Sequence, residues 1–317
     1  MKKITHLRSV FFLLPIIFIL GCNRNSKLTP GEGYADVTGG KVWYRIVGDS
    51  DKTPILLLHG GPGFTSYYLN PMKDLGKDRP IIFLDQLGCG RSDRSIDTSL
   101  MTTENFVKQV EEFRTYLGIK EFYLYGHSWG TMLGVDYYLK YPDHVKAMIL
   151  ASPALSVSKW MEDAEGLIKT LPDSIQTMIK INDENGTYSS PEYQQAMQVF
   201  YENYVIRKLP WDVNIDSTFA GANLEVYEHM WGPSEFKATG NLKDFERTDK
   251  LSEINVPTLF VCGEYDEARP TTVKYFQSLV PNAKFSMIKD AAHITMHDNP
   301  VENNEVIGKF LREIEEQ

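Results

Sequence analysis

The chain has 317 residues, 42% of them hydrophobic, enough to bury a large core in one α/β domain with an insertion or in two smaller domains. A formal net charge of −9 without any basic stripe argues against a nucleic-acid binder. An aromatic content of 12% without a low-complexity tract excludes a largely disordered protein.

Lys2, Lys3 and Arg8 form a basic start, followed by an apolar run over residues 10–20 and then Gly21-Cys22. The run falls short of the ~20 residues a spanning helix needs, and Pro15 interrupts it, so it has the shape of a secretory signal. Its end, Ile19-Leu20-Gly21-Cys22, resembles the lipobox of bacterial lipoproteins, in which the cysteine is lipidated and becomes the mature N-terminus. The expectation is a signal peptide over 1–21, a lipid anchor at Cys22, a polar tether over 22–33 and a place on the exported side of the bacterial cell envelope. An ordinary signal peptide and a cytosolic apolar start are the alternatives. Cys89 and Cys262 show no zinc spacing and make no disulfide framework, so both read as unpaired structural residues.

Residues 34–47 alternate around Gly39-Gly40, which predicts a β-hairpin. Pro54 introduces Ile55-Leu56-Leu57-Leu58, a continuous apolar run suited to a central parallel strand. It ends in His59-Gly60-Gly61-Pro62-Gly63, too rich in glycine for a helix and restrained by Pro62. The expected task of this loop is to offer a backbone N–H, that of Gly61, to an oxyanion; a plain tight turn is the alternative. Ile81-Ile82-Phe83-Leu84 is the next buried strand, and Asp85 and Arg91 after it read as buttresses of neighbouring loops rather than catalytic groups. A helix over residues 103–117 carries Phe106, Val110, Phe113 and Leu117 on one face.

Gly126-His127-Ser128-Trp129-Gly130 fits G-x-S-x-G, and its flanks are those the motif requires. A short apolar strand, Phe122-Tyr123-Leu124-Tyr125, precedes it, and a helix over residues 131–141 follows, closed by Pro142. A serine on so sharp a turn is pushed out of the sheet at a helix N-terminus, with the Trp129 N–H aimed where a carbonyl oxygen would become an oxyanion. After the strand Ala147-Met148-Ile149-Leu150 the rhythm changes: residues 156–245 are helical or irregular and hold Trp160, Tyr193, Phe200, Tyr204, Trp211, Tyr227 and Trp231. Such an insertion suits a helical cap over the strand ends, its aromatics forming cap core and, together, a closed apolar pocket. Strand–helix alternation resumes at Pro257, with a strand over 257–262, a helix over 272–280, a short strand over 283–287 and a closing helix over 301–314. The fold class is therefore α/β, a mostly parallel sheet covered on both faces, with core segments over 34–155 and 246–317 and the cap over 156–245.

A serine nucleophile needs a base, and the base an orienting carboxylate; this architecture supplies them in the order Ser, Asp or Glu, His. Ser128, Asp266 and His293 match that order, each beyond a strand's C-terminal end. Of seven histidines, His297 is the competitor to His293, one helical turn further on, and His293 is preferred because it follows its strand sooner. Glu264 competes with Asp266 but lies nearer the strand and is expected to be too deep. The chemistry requires neither a metal nor an organic cofactor.

The segments 59–63, 85–92 and 126–130 together resemble the proline iminopeptidase family of α/β-hydrolases. Gly232-Pro233-Ser234-Glu235-Phe236 and Gly263-Glu264-Tyr265-Asp266-Glu267 are more similar still to its tricorn-interacting aminopeptidase branch, and the likeness covers essentially everything after the tether. The resemblance implies that Glu235 and Glu267 grip the free α-amine of a substrate; from sequence alone either would read as a solvated surface charge. It implies release of N-terminal proline, and of other small or apolar residues, from short peptides with a free N-terminus. Well-known members of the branch are not envelope lipoproteins, which favours scavenging of exported oligopeptides over processing of proteasome-like products. An esterase, lactonase or amidase of the same fold is the rival enzyme, and a catalytically silent peptide-binding lipoprotein the rival from another class. Oligomeric state is left open.

Overall fold

The computed structural model describes residues 27–316; the expected signal, the lipobox and Cys22 lie outside them. The described residues form one eight-stranded sheet. A hairpin of β1 (Gly31–Val37) and β2 (Gly40–Val47) joins antiparallel to β4 (Ile81–Leu84). From there β3 (Ile55–Leu58), β5 (Phe122–His127), β6 (Val145–Ala151), β7 (Thr258–Gly263) and β8 (Lys284–Ile288) continue in parallel, in the spatial order β1-β2-β4-β3-β5-β6-β7-β8. The hairpin starts at Gly31, inside the span expected to be tether.

Successive strand residues feed opposite faces of the sheet. Leu56, Leu58, Ile82, Leu84 and Leu124 pack with Phe106, Val110 and Phe113 of α1 (Thr103–Tyr116) and Leu133 of α2 (Trp129–Lys140). Ile55, Leu57, Ile81, Phe83 and Tyr123 pack on the other face against Tyr68, Leu69 and Met72 and against a C-terminal helix. Tyr68, Leu69 and Met72 belong to a twelve-residue 3-10 segment, Ser66–Lys77, that no helical periodicity announces and that contains Pro71. Because both faces are covered, the central strands are continuously apolar.

Between β6 and β7 the chain forms α3 (Val157–Ile168), α4 (Asp173–Asn185), α5 (Pro191–Tyr204), α6 (Val213–Gly221) and α7 (Leu224–Met230), then runs without regular structure to the 250s. After β7 come α8 (Pro270–Leu279), β8, a short α9 (Thr295–Asp298) and α10 (Pro300–Glu315). Cys89 and Cys262 are buried and unpaired. No helix among the described residues is long and apolar enough to cross a membrane.

Candidate active site

The turn from β5 into α2 is built backbone against backbone. A Cβ on Gly130 would lie 2.1 Å from the Leu58 carbonyl oxygen, and one on Gly126 would lie 2.4 Å from the Gly130 oxygen. With glycine two residues away on either side, the helix starts directly after Ser128, which takes φ 54° and ψ −122°. Such a conformation costs a non-glycine residue about 1–3 kcal/mol; here the Ser128 N–H is anchored on the Ala151 oxygen at 3.1 Å. The side chain is thereby directed into a cavity beneath the inserted helices.

His293 lies in the loop after β8 and lines the same cavity. Its Nδ1 is 2.8 Å from Asp266 Oδ1. A carboxylate only accepts, so Nδ1 carries the ring proton and Nε2 is left bare toward the cavity. Asp266 is itself fixed by the Gly263 N–H, the Ala268 N–H and the Ser152 hydroxyl, at 3.0, 2.8 and 2.6 Å. The competing histidine, His297, sits elsewhere, its Nδ1 3.6 Å from Asp212. Glu264 is not too deep, as the sequence had suggested. It is exposed, and accepts the Asp290 N–H at 3.2 Å, so it faces away from the base.

Gly61 and Trp129 border the nucleophile. Trp129 opens α2, where no carbonyl one turn behind can take its N–H. Among the described residues the Gly61 N–H has no acceptor either. Gly61 adopts φ +120°, and a Cβ on it would meet the Phe64 nitrogen at 2.7 Å. Asp85 and Arg91 stand behind this loop: Asp85 takes the Ser66 N–H and hydroxyl on one oxygen and the Arg91 N–H and Nε on the other.

Glu235, in the irregular stretch after α7, and Glu267, just past β7, also line the cavity, with Phe64, Tyr201, Val205, Ile215, Phe219 and Ile294 as apolar walls. The Tyr227 hydroxyl donates to Glu235 Oε2 at 3.1 Å, and Glu267 Oε1 lies 3.6 Å from His293 Nε2. Ser128, a histidine with a fixed tautomer, the Gly61 loop and two glutamates thus share one apolar cavity, and Trp129 lines an adjoining one with Gly61 and Ser128, a set suited to acyl transfer from a cationic substrate. No cluster suited to a metal ion occurs among the described residues.

The family model for the alpha/beta hydrolase fold matches residues 53–300. A proline iminopeptidase of Heyndrickxia coagulans is 42% identical over 285 residues, 89% of this chain and 99% of the relative. The chain belongs to the proline iminopeptidase family of α/β-hydrolases. Solved structures agree: VinJ superposes with a TM-score of 0.86 at 32% identity, over 90% of this chain and all of its own. A proline iminopeptidase of Mycobacterium smegmatis gives 0.83 at 28%, over 90% and 98%.

Within this family fold, the two glutamates are the electrostatic anomaly. Burial raises the Glu235 carboxyl above its ordinary range, against the opposing pull of His293 and Tyr227. Burial also raises Glu267 well above its range, and the negative charges of Glu235 and Asp266 add to it. A cation between them would restore the ionised forms. Ser152 and Tyr68, which hold Asp266 and the Gly60 loop, went unnoticed in the sequence. Ser152 follows a strand with no motif around it, and Tyr68 sits in the unannounced 3-10 segment.

A carboxyl whose folded pKa is raised stabilises the fold below its ordinary value of 4.5 and loses that contribution as pH rises toward the folded value. Glu267→Gln should therefore melt higher than wild type in differential scanning calorimetry, by a margin that grows as pH rises above 4.5. A margin that shrinks with rising pH would mean that Glu267 is ionised and paired in the empty cavity.

Proposed function

We propose that the protein is a serine aminopeptidase that releases N-terminal proline, and other small or apolar residues, from short peptides through an acyl-enzyme. The observation that carries this reading is the pair of desolvated carboxylates, Glu235 and Glu267, in the cavity of Ser128 and His293. An ammonium is their natural partner: it neutralises two acids that burial disfavours, and it is neutralised in return. Gripped there, a peptide's first carbonyl reaches Ser128 and later ones do not.

Ser128 Oγ attacks that carbonyl as His293 Nε2 takes its proton, and Asp266 holds the imidazolium. The Gly61 and Trp129 N–H groups receive the oxyanion. His293 then gives its proton to the departing amine, the shortened peptide leaves, and water activated by the same ring hydrolyses the ester on Ser128. The proline iminopeptidase names of the relatives support this substrate class. An ester without an amine would offer neither acid a cationic partner, which weighs against the esterase, lactonase or amidase reading.

Glu235→Gln and Glu267→Gln separate the possibilities. Each should lower kcat/KM for a free prolyl amide by about a hundredfold, while cleavage of a small neutral ester changes little. Equal losses on both substrates would point to damage of the triad rather than loss of an amine anchor, and equal retention would remove the anchor from the account.

We further propose a lipid anchor at Cys22 that holds the enzyme on the exported side of the cell envelope, supported by the order of Lys2, Lys3, Arg8, the apolar run and Ile19-Leu20-Gly21-Cys22. Labelling of cells with a palmitate analogue should mark the wild-type protein and not Cys22→Ser, which should leave the membrane fraction. Equal labelling of the two would place the lipid elsewhere.

A further inference from the structure

The residue between Gly126 and Ser128 is the first of the two variable positions of G-x-S-x-G. Here it is a histidine that the proposed reaction does not use, only 2% exposed, with both ring nitrogens engaged. Nε2 of His127 lies 2.9 Å from the carbonyl oxygen of His293, and Nδ1 lies 2.8 Å from Tyr68 Oη. A carbonyl only accepts, so Nε2 carries the proton. Burial, with His293 close by, pushes this imidazole well below its usual range and keeps it neutral. Nδ1 is then a bare acceptor and takes the Tyr68 hydroxyl proton. The same hydroxyl oxygen accepts the Gly60 N–H at 2.6 Å. Every proton in the chain has one direction: Gly60 N–H to Tyr68, Tyr68 O–H to His127, His127 N–H to the His293 carbonyl.

This chain joins the three loops that must meet at the scissile carbonyl. Gly60 precedes Gly61, His127 precedes Ser128, and the last acceptor is the backbone of His293 itself. The loops are already in contact, since a Cβ on Gly60 would lie 3.0 Å from Ser128 Cβ and 3.2 Å from Tyr68 Oη. Hydrogen bonds at that spacing set the height of one loop against the next. From the other side Ser152 Oγ, 2.6 Å from Asp266 and 2.9 Å from the His293 carbonyl, closes the frame.

We propose that Tyr68 and His127 are positioning residues that hold the Gly61 N–H, Ser128 Oγ and the His293 ring in one register for acyl transfer; this rests on the serine-hydrolase reading above. Neither exchanges a proton with substrate. Their effect falls on the oxyanion geometry, where a displacement of about 1 Å can cost about a hundredfold in rate.

Tyr68→Phe removes one oxygen and strands both the Gly60 N–H and His127 Nδ1. The expected result is a fall of about tenfold to a hundredfold in kcat on prolyl amide, with KM within about twofold of wild type. The rate at which a fluorophosphonate modifies Ser128 should fall in step, because its phosphoryl oxygen needs the same two N–H groups. Tyr68→Phe combined with His127→Gln should lose much less than the product of the single losses. A wild-type kcat in Tyr68→Phe, a loss carried by KM alone, or losses that simply multiply would overturn the proposal. If His127→Gln does not fold, Tyr68→Phe decides by itself. The fluorophosphonate carries no amine, so its rate remains a valid readout even if the substrate class is wrong.

Discussion

The 2.1 Å left for a side chain between Gly130 and the Leu58 carbonyl is the constraint on which the site depends. Because helix and strand approach backbone to backbone there, α2 begins at once after β5 and the serine between them has only a strained conformation to take. That turn places Ser128 beside the end of β3, so the Gly60-Gly61 loop becomes its neighbour without further structure to bring it there. The parallel order β5-β6-β7-β8 then delivers Asp266 and His293 from the next loops along the same edge. Ser128, Asp266 and His293 lie far apart in the chain, yet each follows the C-terminal end of a strand, and sheet register does the assembly.

The insertion between β6 and β7 adds the opposite kind of constraint. It closes an apolar lid over the strand ends and places Glu235 near Glu267 in a cavity where neither is comfortably charged. In water two such carboxylates would discriminate little; in a desolvated cavity, one ammonium relieves both. Specificity on this account is a matter of position. On the proposed reading, the bond that can be cut is the one an amine held at Glu235 and Glu267 brings to Ser128.

Much of this was legible in the sequence because the relevant signals are local. Ile55–Leu58 and Ile81–Leu84 are continuous apolar runs with clean borders, and the strands occupy those residues. The flanking glycines of Ser128 announce a close approach, and the order Ser, Asp, His announces which strand ends they occupy. What stayed hidden depends on tertiary contact. The 3-10 segment Ser66–Lys77 has no helical periodicity and is held by packing of Tyr68, Leu69 and Met72 on the sheet. The outward turn of Glu264 follows from its bond to the Asp290 N–H, a partner 26 residues away. The half-buried place of Glu235 at the cavity is set by the fold of the whole insertion, so its own neighbours in the chain read only as a surface loop.

The proposed pairing with Glu235 and Glu267 makes the free amine of the substrate a requirement. The most direct test is hydrolysis by the wild-type enzyme of a fluorogenic prolyl amide and of its N-acetylated counterpart, with Ser128→Ala as the blank. Turnover of the free amine is expected, and none above the blank once it is acetylated. Equal turnover of the two would remove the amine requirement: the serine machinery would stand, and Glu235 and Glu267 would have to be assigned another purpose.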